Sequence, residues 1–354
     1  MKYPAVLPFA EALTQLDRFD TIIDVRSPLE FTEDHVPGAI NCPVLDNEER
    51  VRVGTLYRQL GAFEAKKLGA ALVAKNVAHH IETVFQPHPQ NWKPLVYCWR
   101  GGNRSGAMSH ILAKIGWQVT RIEGGYKEYR AYVNIELATL PNQFRYQMLC
   151  GPTGSGKSRL LRELARQGAQ VLDLELLANH RGSVLGNMPD SGQPAQKRFE
   201  SAIWHTLRGF DPSRPVFVEA ESKKVGKLRV PDALMEKMRA SACVVISLPL
   251  PDRVLLLLDE YAHFVADPAH LTAQLALLTP LHGKERIAEW RALAESGQMP
   301  KLVECLLASH YDALYAQSIK RNFMQAGSAV EMAIPDGSNA AFEHAAATLI
   351  ATNG

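Results

Sequence analysis

At 354 residues, with 46% hydrophobic and 21% charged residues, the chain has the composition of a soluble globular protein and room for two domains of ordinary size. No apolar run approaches the ~18 residues that cross a bilayer, and the start, MKYPAVLPFAEAL, is broken by two prolines and a glutamate, which makes a poor signal peptide; a cytoplasmic protein without membrane attachment is expected. A net charge of +2 gives no global signal for nucleic acid, and five scattered cysteines (Cys42, Cys98, Cys150, Cys243, Cys305) argue against a disulfide framework or a zinc site, so no metal ligand set is assigned.

In chain order, FDTIIDV (19–25) reads as a short apolar strand, and residues 49–75 read as helical, with Leu60, Leu68 and Leu72 among the apolar positions. KPLVYC (93–98) is a second strand. Ser105 to Gly116 follows as a helix with Ala107, Met108, Ile111, Leu112 and Ile115 on one face, and QVTRIEGG (118–125) is a third strand. A polar segment, ATLPNQFR (138–145), reads as a linker between a domain over 1–137 and another over 146–354. The second part repeats the alternation: YQMLC, a helix from Lys157, QVLDLE, a helix near 195–209, PVFVEA and ACVVISL. Mostly helical sequence from about 251 to 325 and a last strand, AVEMAI, complete it. Short strands alternating with helices predict parallel sheets, so both halves are α/β.

Between the second strand and its helix lies YCWRGGNRSG (97–106). A helix N-terminus favours an anion through its unpaired N–H groups and dipole. Gly101, Gly102 and Gly106 let the backbone curl so that these groups converge, Arg100 and Arg104 add positive charge, and Asn103 and Ser105 complete the loop. Such a cradle suits an anion centred on sulfur, which makes Cys98 the candidate nucleophile. The other four cysteines sit in or beside apolar sequence and read as core residues. Together with IIDVRSPLEFTEDHVPGAINCP (22–43) and IEGGYKEYR (122–130), the loop resembles the rhodanese family. That resemblance implies that Cys98 is the chalcogen-carrying cysteine and that Asp24 and Arg26 form a structural network nearby. His35, in the turn before Val36-Pro37-Gly38, also reads as structural. Five residues separate Cys98 from Arg104, where many sulfur-transferring rhodaneses have four. The longer spacing is similar to that of the related cell-cycle phosphatases and suits a larger atom or a phosphate-like group.

GPTGSGKS (151–158) fits G-x-x-x-x-G-K-[ST], follows the strand YQMLC and opens a helix. Gly151, Gly154 and Gly156 permit close backbone approach, N–H groups including that of Ser155 wrap a diphosphate, Lys157 supplies a point charge, and Ser158 can ligate Mg²⁺. The second half is thus P-loop NTPase-like. An acidic partner should end another strand, with Glu219 (Glu221 nearby) or Asp173 as candidates. No NKxD base-reading motif is present, so phosphate binding follows from the sequence but nucleotide hydrolysis does not.

A rhodanese half joined to a P-loop half, with ANHRGSVLG (178–186) and VFVEAESKKVG (218–226), resembles the tRNA 2-selenouridine synthase family. The resemblance implies a transferase that acts on wobble 2-thiouridine in tRNA anticodon loops. Geranyl diphosphate and selenophosphate are its implied substrates, S-geranyl-2-thiouridine its intermediate, Cys98 its selenium carrier, and a selenophosphate-supplying enzyme an implied partner. No tightly bound cofactor is expected beyond Mg²⁺ accompanying a diphosphate. Lys223, Lys224, Lys227, Arg229 and Arg181 are candidate tRNA-phosphate contacts, and Trp99 and Tyr126 candidate stacking residues. The rival reading is an ATP-dependent rhodanese-type sulfurtransferase acting on tRNA or a small acceptor.

Overall fold

The computed structural model describes residues 3–183, 185–186, 188, 192–315 and 329–353. The helical reading of 251–325 therefore falls outside the described residues after 315, as does Val184 of the 178–186 segment. The chain divides into two compact units, residues 1–137 with 194–205 and residues 138–193 with 206–354.

The first unit is built on five parallel strands: β1 (Ala5–Leu7), β2 (Thr21–Asp24), β3 (Ala39–Asn41), β4 (Pro94–Tyr97) and β5 (Thr120–Ile122), in the order β1-β5-β4-β2-β3. Central β4 is buried at every position, as a strand covered on both faces must be. Ile23, Val25, Val77, Phe85, Trp92, Val96, Met108 and Leu112 form the core beneath it. The helical stretch expected over 49–75 is two helices, Asn47–Leu60 and Ala62–His80, broken at Gly61. The first opens with a capping box in which Asp46 accepts from the Glu49 amide at 2.7 Å and Glu49 reaches back. Part of the helix Gln196–Arg208 completes this unit: Trp204 lies edge-on to Tyr129 with ring centroids 5.8 Å apart and tilts against Phe9 at 6.3 Å.

The second unit carries another all-parallel sheet: β6 (Tyr146–Cys150), β7 (Gln170–Leu172), β8 (Val216–Glu219), β11 (Ala242–Ser247) and β12 (Val330–Ala333), ordered β12-β11-β6-β8-β7. A separate antiparallel hairpin pairs β9 (Lys224–Val225) with β10 (Leu228–Arg229). Leu160, Leu161 and Leu164 of the helix Lys157–Arg166 meet Phe342, Ala345, Ala346 and Leu349 of the helix Asn339–Asn353 over the sheet. The helical part has its own core, in which Phe264, Leu271, Leu275, Ile287, Trp290 and Leu302 converge. Residues 138–145, read from the sequence as a polar linker, begin where the second unit begins and are structured. The helix Gly125–Thr139 runs into a 3-10 turn at Leu140–Gln143, and Leu140, Pro141 and Phe144 are buried.

Candidate active sites

Cys98 is the first residue past central β4 and is only 2% exposed. Gly101 and Gly102 both adopt left-handed backbone (φ 69° and 74°), which turns the chain into the N-terminus of the helix Asn103–Ile115. The buried Ser105 hydroxyl donates to Cys98 Sγ at 3.4 Å, and the thiol faces the Arg100 carbonyl at 3.6 Å. Gly124-Gly125 clasp the loop from the opposite side. The amides of Tyr126 and Lys127 donate to the carbonyls of Cys98 and Trp99 at 2.7 and 3.0 Å. A Cβ at Gly125 would lie 2.3 Å from the Cys98 carbonyl oxygen, so only glycine fits.

Two loop residues sit differently from expectation. Arg104 does not face the sulfur: it donates to both carboxylate oxygens of Glu30 at 2.6 and 3.1 Å. Burial pushes the Glu30 carboxyl up, but the Arg104 guanidinium outweighs it and holds Glu30 at about 2. Tyr126, expected to stack on a base, is buried: its hydroxyl donates to Asp34 at 2.8 Å and Arg26 lies 3.9 Å from its ring centroid. Trp99 stacks on Tyr126 at 5.3 Å and keeps an exposed face, while Arg100 and Asn103 lie at the exposed loop tip. Asp24 and Arg26 form the structural pair expected of them, joined at 2.6 Å and fully buried.

In the second unit GPTGSGKS follows β6, the middle strand, so both candidate loops leave the carboxyl end of a central parallel strand. Gly156 begins the helix in left-handed conformation (φ 83°), with Phe342 so close that a Cβ would sit 2.4 Å from the ring. The Lys157 ammonium donates to the carbonyls of Gly151 and Pro152 at 2.8 and 3.2 Å, and the Gly151 amide donates to the Tyr315 hydroxyl. Ser155 is wholly buried, and its hydroxyl has no partner among the described residues. Gly154, Lys157 and Ser158 line a cavity of about 520 Å³.

The acids gather in that cavity. Glu219 ends β8, Asp173 caps the short helix Leu174–Ala178 by accepting from the Leu176 amide at 2.9 Å, and Glu175 and Glu221 join them. Carboxylate oxygens of Glu175, Glu219 and Glu221 lie within 4.8 Å of one another. Burial, followed by the neighbouring carboxylates, pushes Glu175 up to about 10 and Glu221 to about 7. Glu219 is raised by burial against the opposing pull of Lys157 and Ser158. This all-oxygen donor set suits a hard divalent cation such as Mg²⁺. Glu175, Tyr315 and Phe342 were not singled out from the sequence. The one available signal was Glu175's place two residues after Asp173.

Arg181 also lines this cavity rather than joining the lysine cluster. It donates to the Glu260 carbonyl and lies 4.6 Å from the Tyr261 ring centroid. Lys223, Lys224, Lys227 and Arg229 are exposed on the β9–β10 hairpin, where Asp232 offsets part of their charge through Lys223 (3.6 Å) and Arg229 (3.1 Å). Among the described residues no helix is long and apolar enough to cross a membrane.

Residues 144–276 match the family described as tRNA 2-selenouridine synthase AAA domain, and residues 9–132 match the rhodanese-like domain. Curated relatives of the chain carry the name tRNA 2-selenouridine synthase, among them the three that follow. The one from Nitrosomonas europaea is 38% identical over 70% of this chain and 66% of its own length. The one from Nitrosomonas eutropha is 35% identical over 79% and 73%, and the one from Shewanella halifaxensis 30% identical over 85% and 89%. With both domains matched and these relatives covered over most of their length, the chain belongs to the tRNA 2-selenouridine synthase family.

Proposed function

We propose that the protein is a transferase that converts wobble 2-thiouridine of tRNA to 2-selenouridine through an S-geranyl intermediate, with geranyl diphosphate at the P-loop cavity and selenophosphate at the Cys98 loop. The observation that carries this reading is the presence, in one chain, of a buried thiol beside the Ser105 hydroxyl at the start of a helix and of a P-loop opening on a cavity of about 520 Å³. The names of the relatives supply the substrate class.

In the first step the thiocarbonyl sulfur attacks C1 of geranyl diphosphate. The C–O bond breaks and the diphosphate leaves with the electron pair, stabilised by Lys157 and the loop amides. A divalent cation held by Ser158 and the three glutamates would neutralise charge on that leaving group. Alkylation turns the sulfur into a good leaving group. In the second step selenium of selenophosphate attacks C2 and the sulfur departs as geranylthiol. Electron counting revises the role expected of Cys98. Selenium in selenophosphate is already at the selenide level, so a perselenide on Cys98 would need a two-electron oxidant that neither substrate provides. Cys98 instead attacks phosphorus of the Se-phosphoryl adduct. The P–Se electrons stay on selenium, and water then hydrolyses the S-phosphocysteine. The Ser105 hydroxyl 3.4 Å from Cys98 Sγ supports this assignment, whereas Arg104 is held by Glu30.

Two variants test the division of labour by nucleoside mass spectrometry of 2-thiouridine tRNA. Cys98→Ser retains geranylation and loses selenation; Lys157→Ala loses geranylation but still converts pre-geranylated tRNA. Normal geranylation by Lys157→Ala overturns the P-loop assignment. Selenium label retained on Cys98 after denaturation, in place of phosphoryl label, restores the carrier role. Phosphate release from ATP that depends on tRNA would favour the sulfurtransferase.

A further inference from the structure

Beside the P-loop cavity lies a second recess of about 70 Å³. The two share one wall, made of Thr153, Leu257, Tyr261 and Tyr311. Among the described residues every other side chain lining the recess is apolar, with Phe264, Leu271, Met299, Leu302, Val303 and Leu306 forming its depth. The recess opens into the core of the helical part rather than ending on the sheet. The Tyr261 hydroxyl sits 3.4 Å from Ser183 Oγ, and its ring, with Arg181 4.6 Å from the centroid, forms part of the shared wall.

A phosphate cradle sharing a wall with a dry, apolar recess recognises an amphiphile. A nucleotide would need hydrogen-bonding groups there to read its base, and the depth of the recess offers none. We infer that the recess receives the distal end of the hydrocarbon chain of a prenyl diphosphate, with the chain passing along Leu257, Tyr261 and Tyr311 from a diphosphate seated on residues 151–158. The size fits a chain end. A cavity of ~150 Å³ takes a six-carbon ring, so 70 Å³ holds the branched tip while the rest of the chain lies along the shared wall. This inference rests on the assignment of the P-loop to geranyl diphosphate, and it adds the residues that select the chain.

The test is calorimetric titration of the full-length protein with inorganic diphosphate, dimethylallyl diphosphate, geranyl diphosphate and ADP. Wild-type protein binds geranyl diphosphate at least about ten-fold tighter than inorganic diphosphate, with the five-carbon ester between, because each buried methylene adds affinity. Val303 is half-buried and lines the recess alone, so Val303→Trp fills the recess without touching the loop. It weakens geranyl diphosphate at least about ten-fold and leaves inorganic diphosphate within about two-fold. Equal wild-type affinity for geranyl and inorganic diphosphate overturns the inference without reliance on any variant's folding. So does tighter binding of ADP. Loss of geranyl diphosphate binding in Lys157→Ala with no effect of Val303→Trp rejects the recess and keeps the loop; unchanged binding in Lys157→Ala rejects the loop itself.

Discussion

Glu30 ties the first candidate site to the stability of its unit. The carboxylate lies in the first turn of the helix Pro28–Glu33, shares Ser27 in a capping box, and receives Arg104 through two hydrogen bonds. Its folded value of about 2 lies below the ordinary 4.5, so the contribution to stability is complete above about 4.5 and is lost as pH falls through about 2. The shift corresponds to an upper bound of roughly 3 kcal/mol, with both side chains largely shielded from solvent. Glu30→Gln is therefore expected to lower unfolding free energy at pH 7 by about 1–3 kcal/mol. In urea titrations the gap to wild type narrows between pH 4.5 and pH 2; a gap that does not change with pH refutes the ion-pair account.

At the scale of elements, the P-loop is held in shape by a helix from the far end of the chain. Phe342 of Asn339–Asn353 packs on Gly156 so closely that one added methyl group collides with the ring. Phe342→Ala is expected to cost about 3–5 kcal/mol. Gly156→Ala combines that collision with left-handed backbone strain. Because relieving the collision removes part of both penalties, the double variant costs less than the sum, by about 0.5–3 kcal/mol in chemical denaturation. Strict additivity refutes the contact. The same pair marks what the sequence disclosed. The P-loop was legible because its glycines, lysine and serine must stand in one order after an apolar strand. The helix Asn339–Asn353 was missed because it is rich in alanine and carries little amphipathic pattern. Strands β1 and β3, at three residues each, are too short for alternation to register. The loop around Cys98 was readable from its glycines, but Arg104's engagement by Glu30 depends on a contact 74 residues away in sequence. The break at Gly61 was open to reading, since a glycine inside a helical pattern is a stop signal.

At the scale of the whole molecule, the two units are interleaved in sequence. Residues 194–205 return to the first unit after the P-loop has already been laid down. In that return, Ser201 donates to the buried Asp34 at 3.0 Å, Glu200 pairs with Arg130, and Trp204 fills the space beside Phe9 and Tyr129. Trp204→Ala is expected to destabilise the first unit by about 3–5 kcal/mol, read as selective loss of protection in amide exchange over residues 1–137. A fragment of residues 1–137 is expected to gain cooperative unfolding when a peptide of residues 194–208 is added. Full cooperativity of the fragment alone refutes the interleaving.

On the ribosome this ordering sets a timetable. The thiol-bearing half emerges first, yet it must wait, lacking its last helix, until 205 residues have been made. By then the loop at residues 151–158 has already been made. A cell therefore cannot finish the first module without having begun the second.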